Sequence, residues 1–231
     1  MMAPLDARLL SLAIDENVRV SALLQVPKGA RACLVLAHGA GAGMTHPFLA
    51  AVAQQLGDSG VASLRFQFPF MEQRKKRPDT PHVAHATVRA AVAEAPRLCP
   101  DLPLFAGGKS FGGRMTSQAH ALSPLPGLRG LAFVGFPLHP AGSPSQTRAE
   151  HLFNIQVPML FLQGTRDALA EMSQVEALCK ALGSRATLLP LPNADHSFHV
   201  PARSGRTDTD IRNELVNALA AWIGRVSQQE V

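Results

Sequence analysis

A chain of 231 residues with 46% hydrophobic content can bury one sizeable core, on the order of three-quarters of its unfolded surface, so residues 1–231 are read as a single domain. The net charge of +5 raises the question of nucleic acid, but the densest positive run, Arg74-Lys75-Lys76-Arg77, has no interleaved aromatic residue and reads as solvated loop, so no nucleic-acid partner is expected. No apolar run approaches the roughly 20 residues needed to cross a bilayer. Asp6, Arg8, Asp15 and Glu16 break up the N-terminus and argue against a signal peptide, so no membrane partner and a cytoplasmic location are expected.

In chain order, an apolar strand over 34–37 runs into the small-residue loop His38-Gly39-Ala40-Gly41-Ala42-Gly43. A helix follows over 48–56, then a strand over 61–66, the basic loop and a helix over 83–98. The alternation continues with a strand ending near Ala106, a helix opening after Ser110, and an apolar strand from Pro158 to Gly164. A helix over 173–182, a strand over 186–191 and a last helix over 211–223 complete it, with Thr207 as a possible N-cap and Asp210 three positions later. Such alternation means an α/β chain with a mostly parallel sheet and helices on both faces. Only about twenty residues between 136 and 157, rich in proline and polar groups, and the loop 69–81 are left to form a cap. No large cap domain fits, and an open cleft for small or short-chain substrates is expected. Cys33, Cys99 and Cys179 have no metal spacing, and their odd number argues against a disulfide framework, so buried thiols in a reducing cytosol are expected. Nothing in the sequence fixes the oligomeric state.

The strand-to-helix junction Gly108-Lys109-Ser110-Phe111-Gly112 is the most informative stretch. A G-x-S-x-G turn lifts the serine hydroxyl clear of the backbone, and side chains in place of the glycines would strike the neighbouring strand and helix. The helix N-terminus beneath it favours the negative charge that develops when a carbonyl is attacked. One oxyanion amide is expected at Phe111, and the other at Ala40 or Gly39 in the early small-residue loop. Two phosphate-binding readings fail on spacing. In G-x-G-x-x-G the third glycine would fall at Met44, and in the P-loop pattern the first would fall at Pro103.

A serine nucleophile needs a base and an orienting acid. Asp167 lies on the loop leaving the 158–164 strand, and His196 on the loop leaving the 186–191 strand. Ser110, Asp167 and His196 therefore share one edge of the sheet and form the expected triad. Asp195 is the rival acid, but a side chain adjacent in sequence cannot easily reach the Nδ1 of its neighbour while that neighbour faces the serine, so it reads as a turn residue. His199, His38 and His139 are the rival histidines. His139 and the run Arg74, Lys75, Lys76 and Arg77 are carried as substrate-binding candidates, the run because its loop should exit at the edge where Ser110 sits and could steer an anionic acyl substrate.

With these residues in place the chain resembles a small lidless α/β-hydrolase of the dienelactone-hydrolase-like superfamily. It is more closely similar to the testis-expressed hydrolase-like proteins and the hydrolase-like subunit of a histone acetyltransferase complex. The resemblance runs from His38-Gly39-Ala40-Gly41 through Gly107-Gly108-Lys109-Ser110-Phe111-Gly112-Gly113-Arg114 and Phe136-Pro137-Leu138-His139-Pro140 to His196-Ser197-Phe198. It implies the α/β-hydrolase fold, Ser110 as nucleophile, Asp167 as acid and His196 as base. True dienelactone hydrolases use a cysteine nucleophile where this chain has serine, so their substrate is not implied. The expected activity is hydrolysis of a small ester or thioester through an acyl-enzyme, with no metal or organic cofactor. The competing reading is a non-catalytic interaction module on the same fold.

Overall fold

Residues 6–229 are described by the structure, a computed structural model of the chain. Eight strands form one sheet: β1 (Arg8–Ala13), β2 (Arg19–Gln25), β3 (Ala32–Ala37), β4 (Val61–Phe66), β5 (Leu104–Lys109), β6 (Leu128–Val134), β7 (Met159–Gly164) and β8 (Ala186–Leu191). Their order is β1-β2-β4-β3-β5-β6-β7-β8. From β4 across to β8 all neighbours run parallel, while β1 and β2 are antiparallel additions at one edge.

Parallel strands covered on both faces should be apolar throughout, and β3, β4 and β7 are buried at every position. Successive side chains then feed two separate cores. Leu34 and Leu36 of β3 point to the face covered by α1 (Pro47–Asp58) and α6 (Asp208–Ser227), where they join Val52, Leu56, Leu215 and Trp222. Cys33 and Val35 point the other way, into the core shared with α3 (Pro81–Leu98), α4 (Phe111–Leu122) and α5 (Met172–Leu182). Full burial of one such leucine or valine is worth about 1.5–3 kcal/mol, so the register of each strand is strongly fixed. A four-residue helix, α2 (Pro69–Glu72), follows β4. The stretch expected as a possible small cap carries only a 3₁₀ segment, Thr147–Asn154.

The expected start of the last helix is present in full. Thr207 caps α6 by accepting from the Asp210 N–H, and the Asp210 carboxylate accepts from the Thr207 N–H in return. The three cysteines are buried and free. The β1–β2 hairpin is an addition to the sequence reading, which assigned no strand before residue 34. β1 is an edge strand exposed at most positions, so it carries little apolar alternation to read.

The strand order positions the site. From β3 the chain crosses to β4 on one side, whereas β5 lies on the other side and leads away to β6, β7 and β8. The connections leaving β3 and β5 thus diverge, opening a crevice at their carboxyl ends where a ligand can reach backbone amides from both.

Candidate active site

β5 and α4 are joined at Ser110 with no intervening loop. Ser110 sits at φ 50°, ψ −114°, a conformation rarely adopted by a residue with a side chain, and it projects the hydroxyl out of the turn. Its neighbours must be glycine. A Cβ on Gly108 would lie 2.3 Å from the Ala37 carbonyl oxygen, and one on Gly112 would lie 2.5 Å from that of His38. Those contacts are with backbone, which cannot swing aside.

Asp167 follows the end of β7 and His196 follows β8, so Ser110, Asp167 and His196 all project from the carboxyl edge of the sheet. The Ser110 Oγ lies 2.8 Å from His196 Nε2, and His196 Nδ1 lies 2.7 Å from Asp167 Oδ2. A carboxylate can only accept, so Nδ1 carries the proton and Nε2 is left to accept from the serine hydroxyl. Asp167 is buried and tightly held. Its Oδ1 accepts from the Leu169 N–H at 2.8 Å, and its Oδ2 also accepts from Gln163 Nε2 at 2.6 Å. Gln163 in turn accepts from the Phe136 N–H at 2.9 Å, tying Asp167 to the loop after β6.

Among the described residues Phe111 N–H, at the open start of α4, and Ala40 N–H, in the loop after β3, have no hydrogen-bond partner, and both residues border a cavity shared with Ser110. A Cβ built on Gly39 would come within 3.8 Å of the Ser110 Cβ, so that loop lies directly against the turn. Its orientation is set from below by His38. The buried ring donates from Nδ1 to the Gly39 carbonyl at 2.7 Å and accepts at Nε2 from the Phe68 N–H at 3.0 Å. Because a trans peptide is planar with its C=O and N–H opposed, pinning the Gly39 carbonyl on one side aims the Ala40 N–H the other way. Burial holds the His38 ring neutral, with its pKa lowered to about 4. Lys109 braces His196: its ammonium donates to the His196 carbonyl at 2.6 Å and lies 5.2 Å from the centre of the Phe198 ring. Desolvation lowers its pKa to about 8.

The model of the family described as "Alpha/beta hydrolase domain" matches residues 30–224, most of the chain. The chain belongs to the α/β-hydrolase domain family. Among solved structures it is similar to a dienelactone hydrolase from Anabaena variabilis, at 19% identity and a TM-score of 0.78, covering 96% of this chain and 99% of that one. A serine hydrolase without a lid from Xanthomonas campestris matches at 20% identity and TM-score 0.72, over 96% and 97% of the two chains. An esterase from Pyrococcus furiosus matches at 16% identity and TM-score 0.74, over 96% and 93%. These likenesses carry the fold: a mostly parallel eight-stranded α/β-hydrolase sheet without a large cap.

In this α/β-hydrolase chain Ser110 opens onto two cavities. One, of about 370 Å³, is walled by the loop 39–42, Phe48, Leu49 and His196. The other, of about 350 Å³, is walled by Arg114, Met115, Pro137, Arg148, Pro81 and Asp79. Ala40, Ser110 and Leu169 border both. The run Arg74 to Arg77 is exposed and lines neither, although Pro78 and Asp79 just beyond it do. His139 is buried away from both cavities. It donates from Nδ1 to the Pro140 carbonyl at 2.8 Å and accepts at Nε2 from the Glu171 N–H, latching the 139 loop to the segment beyond Asp167. Asp195 faces its own turn, where Oδ1 accepts from the Ser197 and His199 N–H groups. His199 is exposed and paired with Asp208. Among the described residues no three His, Cys, Asp or Glu side chains converge in a way that could hold a metal ion, and no helix is long and apolar enough to cross a membrane.

Sequence reasoning did not assign roles to Gln163, Lys109, Arg114 and Arg148. Gln163 had a readable signal, since an amide in a strand of otherwise apolar residues must find partners in the interior. Arg148 had none, because it arrives from a proline-rich stretch without periodicity.

Proposed function

We propose that the chain is a serine hydrolase that cleaves small or short-chain esters or thioesters through an acyl-enzyme. The observation that carries this reading is the unbroken relay from the Ser110 hydroxyl through His196 to Asp167, with hydrogen bonds of 2.8 and 2.7 Å, beside two unpartnered amides. Ser110 Oγ attacks the carbonyl carbon as His196 Nε2 takes its proton, and the carbonyl oxygen becomes an oxyanion held by Phe111 N–H and Ala40 N–H. His196 returns that proton to the leaving oxygen or sulfur, which departs as an alcohol or thiol. A water then gives its proton to His196, attacks the acyl-enzyme and releases the acid, restoring Ser110. Asp167 holds the tautomer and stabilises the imidazolium in each half. All 231 residues are read as one domain, and the step needs no metal or organic cofactor. The motif from Gly107 to Arg114 aligns the chain with the testis-expressed and acetyltransferase-complex hydrolase-like group within its family.

A non-catalytic interaction module is the alternative, and a fluorophosphonate probe separates the two. Covalent labelling of the wild type, abolished in Ser110→Ala and accompanied by turnover of a short p-nitrophenyl ester, is the expected result. A folded wild type that neither labels nor turns over ester would leave the interaction module as the reading.

A further inference from the structure

The cavity on the side of Ser110 away from His196 carries an unbalanced pair of guanidinium groups. Arg114 stands one turn into α4, its N–H donating to the Ser110 carbonyl, and Arg148 reaches the same cavity from the 3₁₀ segment Thr147–Asn154. Among the described residues neither is within 4 Å of a carboxylate, and neither guanidinium makes a hydrogen bond to protein. The Arg114 Nε is fully buried with no acceptor. Buried Nε atoms without an acceptor also occur in Arg65 and Arg212, but Arg65 still donates from its terminal nitrogens to the Met44 carbonyl and to Gln25 Oε1, whereas Arg114 and Arg148 use none of theirs on protein. Leaving a buried donor unpaired is costly, and an anionic ligand would relieve it. Burial lowers the pKa of Arg114, and the Arg148 charge beside it lowers it further.

We propose that this cavity is the acyl pocket and that Arg114 and Arg148 make it specific for an acyl chain ending in a carboxylate. This rests on the serine-hydrolase reading. The side follows from proton transfer. His196 must deliver its proton to the leaving atom, so the leaving group lies over His196 in the first cavity and the acyl chain runs the opposite way. The distance follows from the helix: four residues advance about 6 Å along α4, so a carboxylate two or three methylenes beyond the scissile carbonyl reaches the Arg114 fork. Asp79 is the opposing charge in the wall. Its Oδ2 accepts from the Phe70 N–H at 3.0 Å, outside ion-pairing distance of both arginines, and burial raises its pKa. His151, behind Arg114, does not add a cation at neutral pH, because burial and the neighbouring Arg114 lower its pKa to about 4. The pair replaces the exposed run Arg74 to Arg77 as the source of any preference for anionic substrates.

The test compares kcat/KM for monomethyl succinate, methyl butyrate and O-butyryl glycolate, which place a carboxylate on the acyl side, nowhere, and on the alcohol side. In Arg148→Gln and Arg114→Gln the succinate-to-butyrate ratio should fall at least tenfold, with Arg114→Lys between them and wild type. The wild-type ratio should also shrink with added salt. The glycolate-to-butyrate ratio should move less than threefold. A succinate ratio that holds in both glutamine variants overturns the subsite, as does a larger response from the glycolate ester. Arg148→Gln, on a surface segment, keeps the test open should Arg114→Gln fold poorly. Labelling of Ser110 by a fluorophosphonate tells the two failures apart. Wild type that labels, but gains no more protection from succinate than Arg148→Gln does, overturns the subsite alone, and wild type that never labels overturns the hydrolase reading beneath it.

Discussion

Helix α4 and the turn before it supply serine to two histidine contacts of almost equal length, and the surroundings of the two pairs differ in every respect that matters for reaction. Ser110 Oγ lies 2.8 Å from His196 Nε2 and Ser117 Oγ lies 2.7 Å from His151 Nε2. Ser110 faces a cleft with free amides beside it, whereas Ser117 is fully buried and has the Arg114 carbonyl 3.0 Å from its Oγ, competing with His151 for its single proton. His196 has the Asp167 carboxylate 2.7 Å behind its other nitrogen. His151 has burial, Arg114 and His85 around it, all of which oppose a positive charge on the ring. On the serine-hydrolase reading, the contact at Ser110 is a proton path and the contact at Ser117 a packing contact, and the surroundings of the two rings make the difference.

The largest effects should come from breaking the reactive pair. Ser110→Ala should lower turnover of a short p-nitrophenyl ester by at least about 10⁴-fold, His196→Ala by a similar factor, and the double variant by little more, because the two groups act as one unit. Near-multiplicative losses in steady-state assays would show that they do not. Asp167→Asn keeps the shape but removes the charge and the tautomer preference, and turnover should fall by roughly 10²- to 10⁴-fold. Wild-type kinetics in that variant would move the acid elsewhere, with Asp195 the first candidate.

The buried pair should answer in stability instead. Ser117→Ala strands the His151 ring and should cost about 1–3 kcal/mol in urea unfolding, with ester turnover within about threefold of wild type. A tenfold loss of turnover without a stability change would reverse the assignment of the two pairs. A separate effect is in pH. His38 and His151 are held near pKa 4 by burial, below the value near 6.5 expected in the unfolded chain, and His85 and His120 are shifted the same way. Between those values the unfolded state binds more protons, so the stability present above pH 6.5 should decline as pH falls towards 4. Urea midpoints from pH 7 to 4.5 measure the slope, and His38→Gln should flatten it.

Much of this was legible because the alternating elements follow local rules. The helix expected over 48–56 is α1, that over 173–182 is α5, and Ala186–Leu191 is β8 to the residue. Ser110, Asp167 and His196 could be placed at one edge because each follows an apolar strand in a parallel sheet, and such strands all end on the same side. The second cavity could not be read. Arg114 stands in plain view in the motif, but which way it faces depends on the rotation of α4. Its partner comes from Arg148, 34 positions away in a segment whose path is set by tertiary packing rather than by any repeat. The same limit applies to Arg74 to Arg77. Their loop leaves β4 at the expected edge, yet after α2 these four side chains are exposed and line neither cavity, the chain reaching the wall only at Pro78 and Asp79.

The left-handed backbone at Ser110 has a consequence for how this chain can change. Holding a side-chain-bearing residue in that conformation costs on the order of 1–3 kcal/mol, and glycine would adopt it with little strain. A Ser110→Gly protein should therefore unfold at a higher temperature than Ser110→Ala while being equally unable to attack a carbonyl. Stability and reactivity have opposite optima at this one position. On the serine-hydrolase reading, the strain at Ser110 is the stability given up to hold a nucleophile clear of the backbone.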